Sequence, residues 1–352
     1  MREGKAFIVP NFIKNIIMIV LTAIITLLIL ISGYELYNRF IWYDKWKAHY
    51  SKYGDWYGML TIPSKNEALM WEYRPYGVYE DSRLDYKIET NRYGFRDNDY
   101  ESPDKPKGIY RVAFIGDSTT LGFKAKGEDV FVREFERLAN NTFPGGKVQA
   151  LNFGIDGYNT IQIFELLKTR VITFVPDKVV YAFNLNDFDM WNASGQKVLY
   201  FKKPKLFFLR EFDRFVRNRK LGKIYDYYHF YFDMNRDTVF PYIVKMRDLL
   251  REKGVDFQVV ILPTFEYDFK KYAPEDLHEK IKHYLMTNNI EVFDLLQEFK
   301  KQDKPSSSYL AEPGVDNWHP NKEGHRFMAQ SMLQPVLSHL LSQGMAFRSE
   351  KR

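Results

Sequence analysis

No cysteine occurs anywhere in the 352 residues of this sequence. Disulfide staples, thiolate zinc sites, iron–sulfur clusters, a cysteine nucleophile and a lipid-modified cysteine are therefore excluded. The redox compartment stays open, because disulfide-free proteins occur on both sides of membranes. Repeats, low-complexity tracts and any convincing cluster of metal-ligating side chains are also missing, so no metal and no cofactor is expected. What is present is ample apolar material, 45% of the residues, which excludes wholesale disorder. At roughly 100–200 residues per domain, the length allows one large domain or two ordinary ones. With 51 Lys and Arg against 45 Asp and Glu, the net charge is +6. Such a balance suits an acidic partner: nucleic acid, anionic lipid or an acidic polymer. Aromatic residues make up 17%, which fits sugar-facing or membrane-facing surface as well as extra core.

Charge is absent from Asn15 to Tyr34, and Ile16 to Ile31 is almost unbroken Ile, Leu, Val and Met. Twenty helical residues span about 30 Å, the thickness of a bilayer's hydrocarbon core. Residues 15–34 therefore read as a transmembrane helix after a short tail, 1–14. The run is longer than a secretory h-region, and bulky Ile31 spoils Ile31-Ser32-Gly33 as a cleavage site, which favours an uncleaved anchor. Lys and Arg are balanced on the two sides (Arg2, Lys5 and Lys14 against Arg39, Lys45 and Lys47), so charge leaves the orientation open. Tyr34, Tyr37, Phe40, Trp42, Tyr43 and Trp46 fit an interfacial aromatic belt.

Residues 35–108 read as an irregular lead-in. From Arg111 strands and helices alternate. Apolar runs at Arg111–Gly116, Val148–Gly154, Asp177–Phe183, Asp256–Leu262 and Ile290–Leu295 read as strands. Helical spacing covers Val130–Asn140, Thr160–Thr169, Pro241–Lys253, Glu275–Thr287 and Lys322–Ser342. This order predicts an α/β three-layer sandwich over 109–345, with a mostly parallel central sheet and an insertion at 190–240. Ligands in such sheets bind at the carboxyl ends of the strands, so the residues just past each strand matter most.

Gly116-Asp117-Ser118 comes after the first strand and presents a serine at a tight strand-to-helix turn. No Gly-Lys-Ser/Thr closes it, which excludes a phosphate-binding P-loop, and it is not a Gly-x-Ser-x-Gly elbow. Gly154 ends the second strand, where a glycine lets the backbone approach closely. Asn184-Leu185-Asn186-Asp187 comes after the third, and a side-chain amide there could donate to a developing oxyanion. Near the C-terminus stands Asp316-Asn317-Trp318-His319-Pro320-Asn321, in which a carboxylate three residues before a histidine suits the orientation of an imidazole.

Ser, Gly, Asn and His in this order resemble the SGNH hydrolase superfamily (the GDSL esterase/lipase family), in its membrane-anchored bacterial form. The resemblance covers roughly Arg111 to Ser342. It implies a flavodoxin-like sandwich in which Ser118 is the nucleophile, His319 the general base and then acid, and Asp316 the residue that holds the imidazole. It also implies an oxyanion hole made by the Ser118 and Gly154 amides and the Asn186 side chain. One departure is Asn184, which stands where the family usually has glycine. His325 is expected to be structural. Asn91-Arg92-Tyr93-Gly94-Phe95-Arg96 resembles a segment often found ahead of such domains, with no role derivable from sequence.

The resemblance implies a membrane-anchored serine esterase for O-acyl, notably O-acetyl, esters of a carbohydrate or related substrate, placed in the periplasm or outside the cell. The same residues would serve an O-acyltransferase on a cell-surface glycan, and a non-catalytic glycan- or membrane-binding module is the rival of another class. Lys197–Lys223 carries ten Lys or Arg against Glu211 and Asp213, interleaved with Phe207, Phe208, Phe212 and Phe215. It suits an anionic lipid surface beside the anchor, or an acidic glycan over the active site; nucleic acid is not an expected partner.

Overall fold

The computed structural model describes residues 11–49, 60–81, 85–142, 147–190, 195–224 and 226–342. The chain divides into two compact units: Met1–Asp55 with Lys203–Lys223, and Trp56–Lys202 with Ile224–Arg352.

The second unit begins with two small antiparallel pairs. β1 (Thr61–Pro63) pairs with β2 (Trp71–Tyr73), and β3 (Val78–Asp81) with β4 (Tyr86–Glu89). The lead-in thus carries four strands where the sequence suggested irregular chain. They are only three or four residues long, and their support is tertiary: Trp71, Tyr73 and Ile88 are all buried.

The central sheet holds β5 (Ile109–Gly116), β6 (Lys147–Gly154), β7 (Lys178–Phe183), β8 (Asp256–Ile261) and β9 (Glu291–Asp294), in the order β6-β5-β7-β8-β9. Every pairing is parallel. Helices Phe131–Thr142 and Lys322–Ser342 cover the face formed by Val112, Phe114, Val180 and Ala182. Strand alternation turns Ala113, Ile115, Val179 and Tyr181 to the other face, which helices Thr160–Thr169 and Tyr227–Glu252 flank. Burial on both faces explains why these strands read as continuous apolar runs.

In register, Gly116 lies opposite Gly154 on one side and Ala182 on the other. The carboxyl ends of the three central strands are therefore level, and the turns leaving them meet at one edge of the sheet. A short pair, β10 (Leu310–Glu312) with β11 (Asp316–Pro320), brings the last motif to the same unit.

The helix expected to start at Pro241 starts at Tyr227, capped by the Asp226 carboxylate, and runs through Pro241 to Glu252. A proline inside a helix removes one hydrogen bond and ordinarily ends it. Here the buried stripe continues on both sides, with Tyr228, Phe232 and Val239 before the proline and Ile243, Met246 and Leu250 after it. Packing outweighs the local cost.

The first unit is helical. Asn11–Tyr37 continues through a π turn at Asn38–Trp42 into Tyr43–His49. Within Asn11–His49 lies one helix long and apolar enough to cross a membrane, and none of the residues in that window is buried within the protein. The other element is the helix Phe207–Ile224. Residues 203–223 of the expected 190–240 insertion therefore belong to this unit.

Candidate active site

Ser118 is the first residue of a single helical turn, Ser118–Leu121, so its N–H has no intrahelical acceptor. Asp117 caps the turn, accepting the Thr119 N–H at 2.9 Å. The serine Oγ lies 2.9 Å from His319 Nε2. On the far side of the ring, His319 Nδ1 is 2.7 Å from Asp316 Oδ2. Asp316 Oδ1 also accepts the backbone N–H groups of Trp318 (3.0 Å) and His319 (3.2 Å). Burial alone would raise the Asp316 pKa. The hydrogen bond and charge of His319, the Lys124 ammonium and the Trp318 amide outweigh burial and hold the carboxyl well below the usual carboxylate range. An ionised carboxylate only accepts, so Nδ1 carries the proton and Nε2 is left to accept from Ser118 Oγ. The Phe123 ring lies 4.9 Å from the imidazole, centroid to centroid, and restricts it further.

Gly154 sits where a side chain cannot. A Cβ there would come within 2.1 Å of the Leu121 nitrogen and 2.5 Å of the Thr120 carbonyl carbon. The close approach that glycine permits is thus first to the backbone of the serine's own helix. The Gly154 N–H donates to Asn152 Oδ1 at 2.9 Å, so Asn152 holds the amide expected to face an oxyanion. Asn186 stands at the same edge, its Nδ2 donating to Asp117 Oδ2 at 3.1 Å; the amide's second hydrogen is not used by that bond.

Asn184, at the family's glycine position, is in ordinary extended backbone with φ −101°. No glycine is needed there. Its carboxamide instead donates to Asp117 Oδ1 (2.8 Å) and to Thr119 Oγ1 (3.0 Å), tying the end of β7 to the serine turn. Asp117 thereby joins Thr119, Asn184 and Asn186. Burial raises its pKa, opposed by these three hydrogen bonds and by the charge of His319. Behind it, Asp187 is pushed well above the carboxylate range by burial and by the nearby Asp117 charge.

Two cations escaped the sequence reading. Lys124 Nζ bonds Asp316 Oδ2 at 2.9 Å and also pairs with Glu312. Nothing in its spacing signals this, because residue 124 reaches the site from a left-handed backbone conformation, φ +64°. Arg96 did carry a signal, as the last residue of the Asn91–Arg96 segment. Its buried guanidinium donates to the carbonyls of Leu121, the last residue of the serine turn, of Gly122 and Ala125 just beyond it, and of Lys87. Gly94 makes this approach possible with φ +75°, where a Cβ would lie 2.4 Å from the Tyr73 carbonyl oxygen. His325 is fully buried and accepts the Phe131 N–H at 3.3 Å. Burial, together with the charges of Arg96 and His319, pushes its pKa down to about 3, so it stays neutral.

The family model for GDSL-like lipases/acylhydrolases matches residues 114–327. No curated protein matches the chain. Among solved structures it is similar to the acetyl xylan esterase AlAXEase, at 16% identity over 64% of this chain and 99% of that one, with a TM-score of 0.44. It is also similar to the acetylxylan esterase Axe2 of Geobacillus stearothermophilus, at 17% identity over 64% of this chain and 94% of that one (TM-score 0.43). A GDSL-like lipase of Bacteroides thetaiotaomicron is similar at 18% identity over 65% and 89% of the two chains (TM-score 0.38).

Proposed function

The chain belongs to the GDSL-like lipase/acylhydrolase family and is an ester hydrolase, and from that premise we propose that it is a membrane-anchored serine esterase removing O-acyl groups, acetyl first among them, from a carbohydrate outside the cytoplasm. The observation that carries the catalytic part is the continuous contact from Ser118 Oγ through His319 to Asp316. In this mechanism Ser118 Oγ attacks the ester carbon and its proton passes to His319 Nε2. The carboxylate of Asp316 stabilises the imidazolium that results. His319 then gives the proton to the leaving sugar hydroxyl, and water repeats the sequence on the acyl-enzyme. The oxyanion is bound by the Ser118 N–H and the second hydrogen of the Asn186 amide. The Gly154 N–H joins them by sharing its hydrogen between Asn152 Oδ1 and the oxyanion.

A carbohydrate leaving group is supported by Trp318, next to the histidine in sequence and 58% exposed, with its indole N–H 3.3 Å from Glu266. A flat exposed indole so held offers an apolar face to a sugar ring. The anchor reading rests on the exposed apolar helix within Asn11–His49.

The test is acetate release from acetylated xylan and from p-nitrophenyl acetate by the full chain, with a fluorophosphonate probe applied in parallel. Hydrolysis with labelling at Ser118 is expected. A folded chain that releases no acetate and never reacts with the probe would sink the reading. Acyl transfer to an added glycan in preference to water would replace esterase by transferase.

Lys124 should hold part of the pH-dependent stability of the fold. Its ammonium, 2.9 Å from Asp316 Oδ2, is one of the groups that keep the Asp316 carboxyl below the usual carboxylate range. A depressed carboxyl contributes stability that is present above its unfolded-state value of about 3.9 and is lost as pH falls. In Lys124→Met the depression is smaller, so the stability lost between pH 7 and pH 3 is expected to be smaller than in wild type, whereas Lys124→Arg keeps it. Denaturant melts at the two pH values check this, and an unchanged loss in a folded Met variant would remove the role.

A further inference from the structure

The helix Phe207–Ile224 is the basic, aromatic segment that the esterase mechanism leaves unused. Its start is fixed within its own unit. The Glu35 carboxylate accepts the N–H groups of Phe207 (2.7 Å) and Phe208 (3.3 Å), satisfying two of the orphan donors at the helix N-terminus. The other oxygen of Glu35 accepts from Arg39 at 2.7 Å, and Lys203 Nζ donates to the Arg39 carbonyl at 2.7 Å. Phe207 is buried against the rings of Trp42 and Tyr43. The helix is therefore seated at the C-terminal end of the long apolar helix, on its aromatic residues.

Beyond that seat its surface is two-sided. At 100° per residue, Phe208, Leu209, Phe212, Phe215 and Val216 fall within an arc of about 120°. Of these, Leu209, Phe212 and Phe215 each expose more than half of their surface. Arg210, Arg214, Arg217 and Lys220 lie outside this arc, while Arg219 falls within it, its guanidinium 5.9 Å from the Phe215 ring centroid. Across 203–223 the sequence has eight Lys or Arg and only Glu211 and Asp213 in opposition. Both acids are already paired, Glu211 with Arg214 at 2.7 Å and Asp213 with Arg217 at 3.0 Å.

An acidic glycan would engage the cations and leave three large apolar side chains in water. A lipid–water boundary accepts both sides at once, and the apolar helix on which this one sits supplies the continuity with a bilayer. We propose that Phe207–Ile224 is an interfacial helix that lays Leu209, Phe212 and Phe215 into the acyl boundary of an anionic membrane and pairs its cations with lipid phosphates. This rests on the reading of the N-terminal helix as an uncleaved anchor, and not on the esterase chemistry.

The absence of native cysteine makes the test clean. Phe212→Cys, Phe215→Cys, Arg214→Cys and Asn218→Cys are each labelled with an environment-sensitive fluorophore in the full chain. The labelled proteins are reconstituted into phosphatidylcholine vesicles with or without phosphatidylglycerol, and a cooperative melt matching that of the unlabelled chain confirms that each is folded. Probes at 212 and 215 are expected to shift to the blue and to be quenched by lipids spin-labelled near the headgroup, more so with phosphatidylglycerol. Probes at 214 and 218 should remain open to aqueous iodide. Replacing Arg214, Arg219 and Lys220 by Gln should weaken docking by roughly fivefold per cation, and high salt should mimic it. Iodide quenching at all four positions in a chain that resists carbonate extraction would overturn the proposal while leaving the anchor intact. Equal docking with and without phosphatidylglycerol, or blue shifts produced by soluble polygalacturonate instead of vesicles, would also overturn it. A chain released by carbonate would instead overturn the anchor reading beneath it.

Discussion

Ser118→Ala is expected to lower kcat for ester hydrolysis by about 10⁵–10⁶-fold while leaving KM nearly unchanged. In the proposed mechanism the Oγ that is removed forms the acyl-enzyme, and water held in its place has no comparable nucleophilicity or position. The amide of residue 118 and the Asn186 side chain remain, so a residual acceleration of roughly 10³–10⁴ over the uncatalysed reaction should survive. Stability should change little, because the described side-chain bond of Ser118 is the one to His319 Nε2. Initial rates on p-nitrophenyl acetate, with thermal melts beside them, check both halves. A melt-competent Ala variant keeping a tenth of wild-type kcat would rule out Ser118 as the nucleophile.

Asp316→Asn should cost about 10⁴-fold in kcat. The carboxylate accepts from Nδ1–H at 2.7 Å and so leaves Nε2 unprotonated toward Ser118. An Asn amide hydrogen aimed at the ring would favour the opposite tautomer and block proton removal. The same substitution has a stability signature with a definite sign. Asp316 is depressed in the fold, so its contribution is present above the unfolded-state value of about 3.9 and is lost as pH falls toward the folded value. Wild type should therefore lose part of its stability below about pH 4, and the Asn variant should lack that component. At neutral pH the variant should be less stable, because Lys124 would be left beside a neutral amide. Denaturant melts at pH 3 and pH 7 measure the difference. Equal stability of the two proteins at pH 7 would contradict the assigned charge.

The sheet was legible in the sequence because its strands are buried on both faces and so appear as short continuous apolar runs, such as Arg111–Gly116 within the observed Ile109–Gly116. Elements held by distant partners were not legible. The helix through Pro241 obeys its buried stripe and not its local propensity. β11 exists because Leu310–Glu312 returns beside it. At the site, residues at strand ends could be named in advance because topology gathers strand ends. Lys124, Asn152 and the carboxamide of Asn184 act through contacts that cross between motifs, and no spacing rule encodes those. For Gly154 the sequence pointed to a close approach of the backbone, and the approach found is to Leu121 and Thr120.

The guanidinium of Arg96 bears on where the catalytic piece of this protein begins. Family likeness starts at residue 114, yet the carbonyls of Leu121, Gly122 and Ala125 are held by a residue eighteen positions upstream of that start. A fragment cut at the likeness would keep the serine and lose the buried cation that fastens the turn behind it, leaving three carbonyl dipoles without their partner. A catalytic fragment is therefore expected to need Arg96 as well as the residues of the family likeness, a boundary drawn by electrostatics and not by homology.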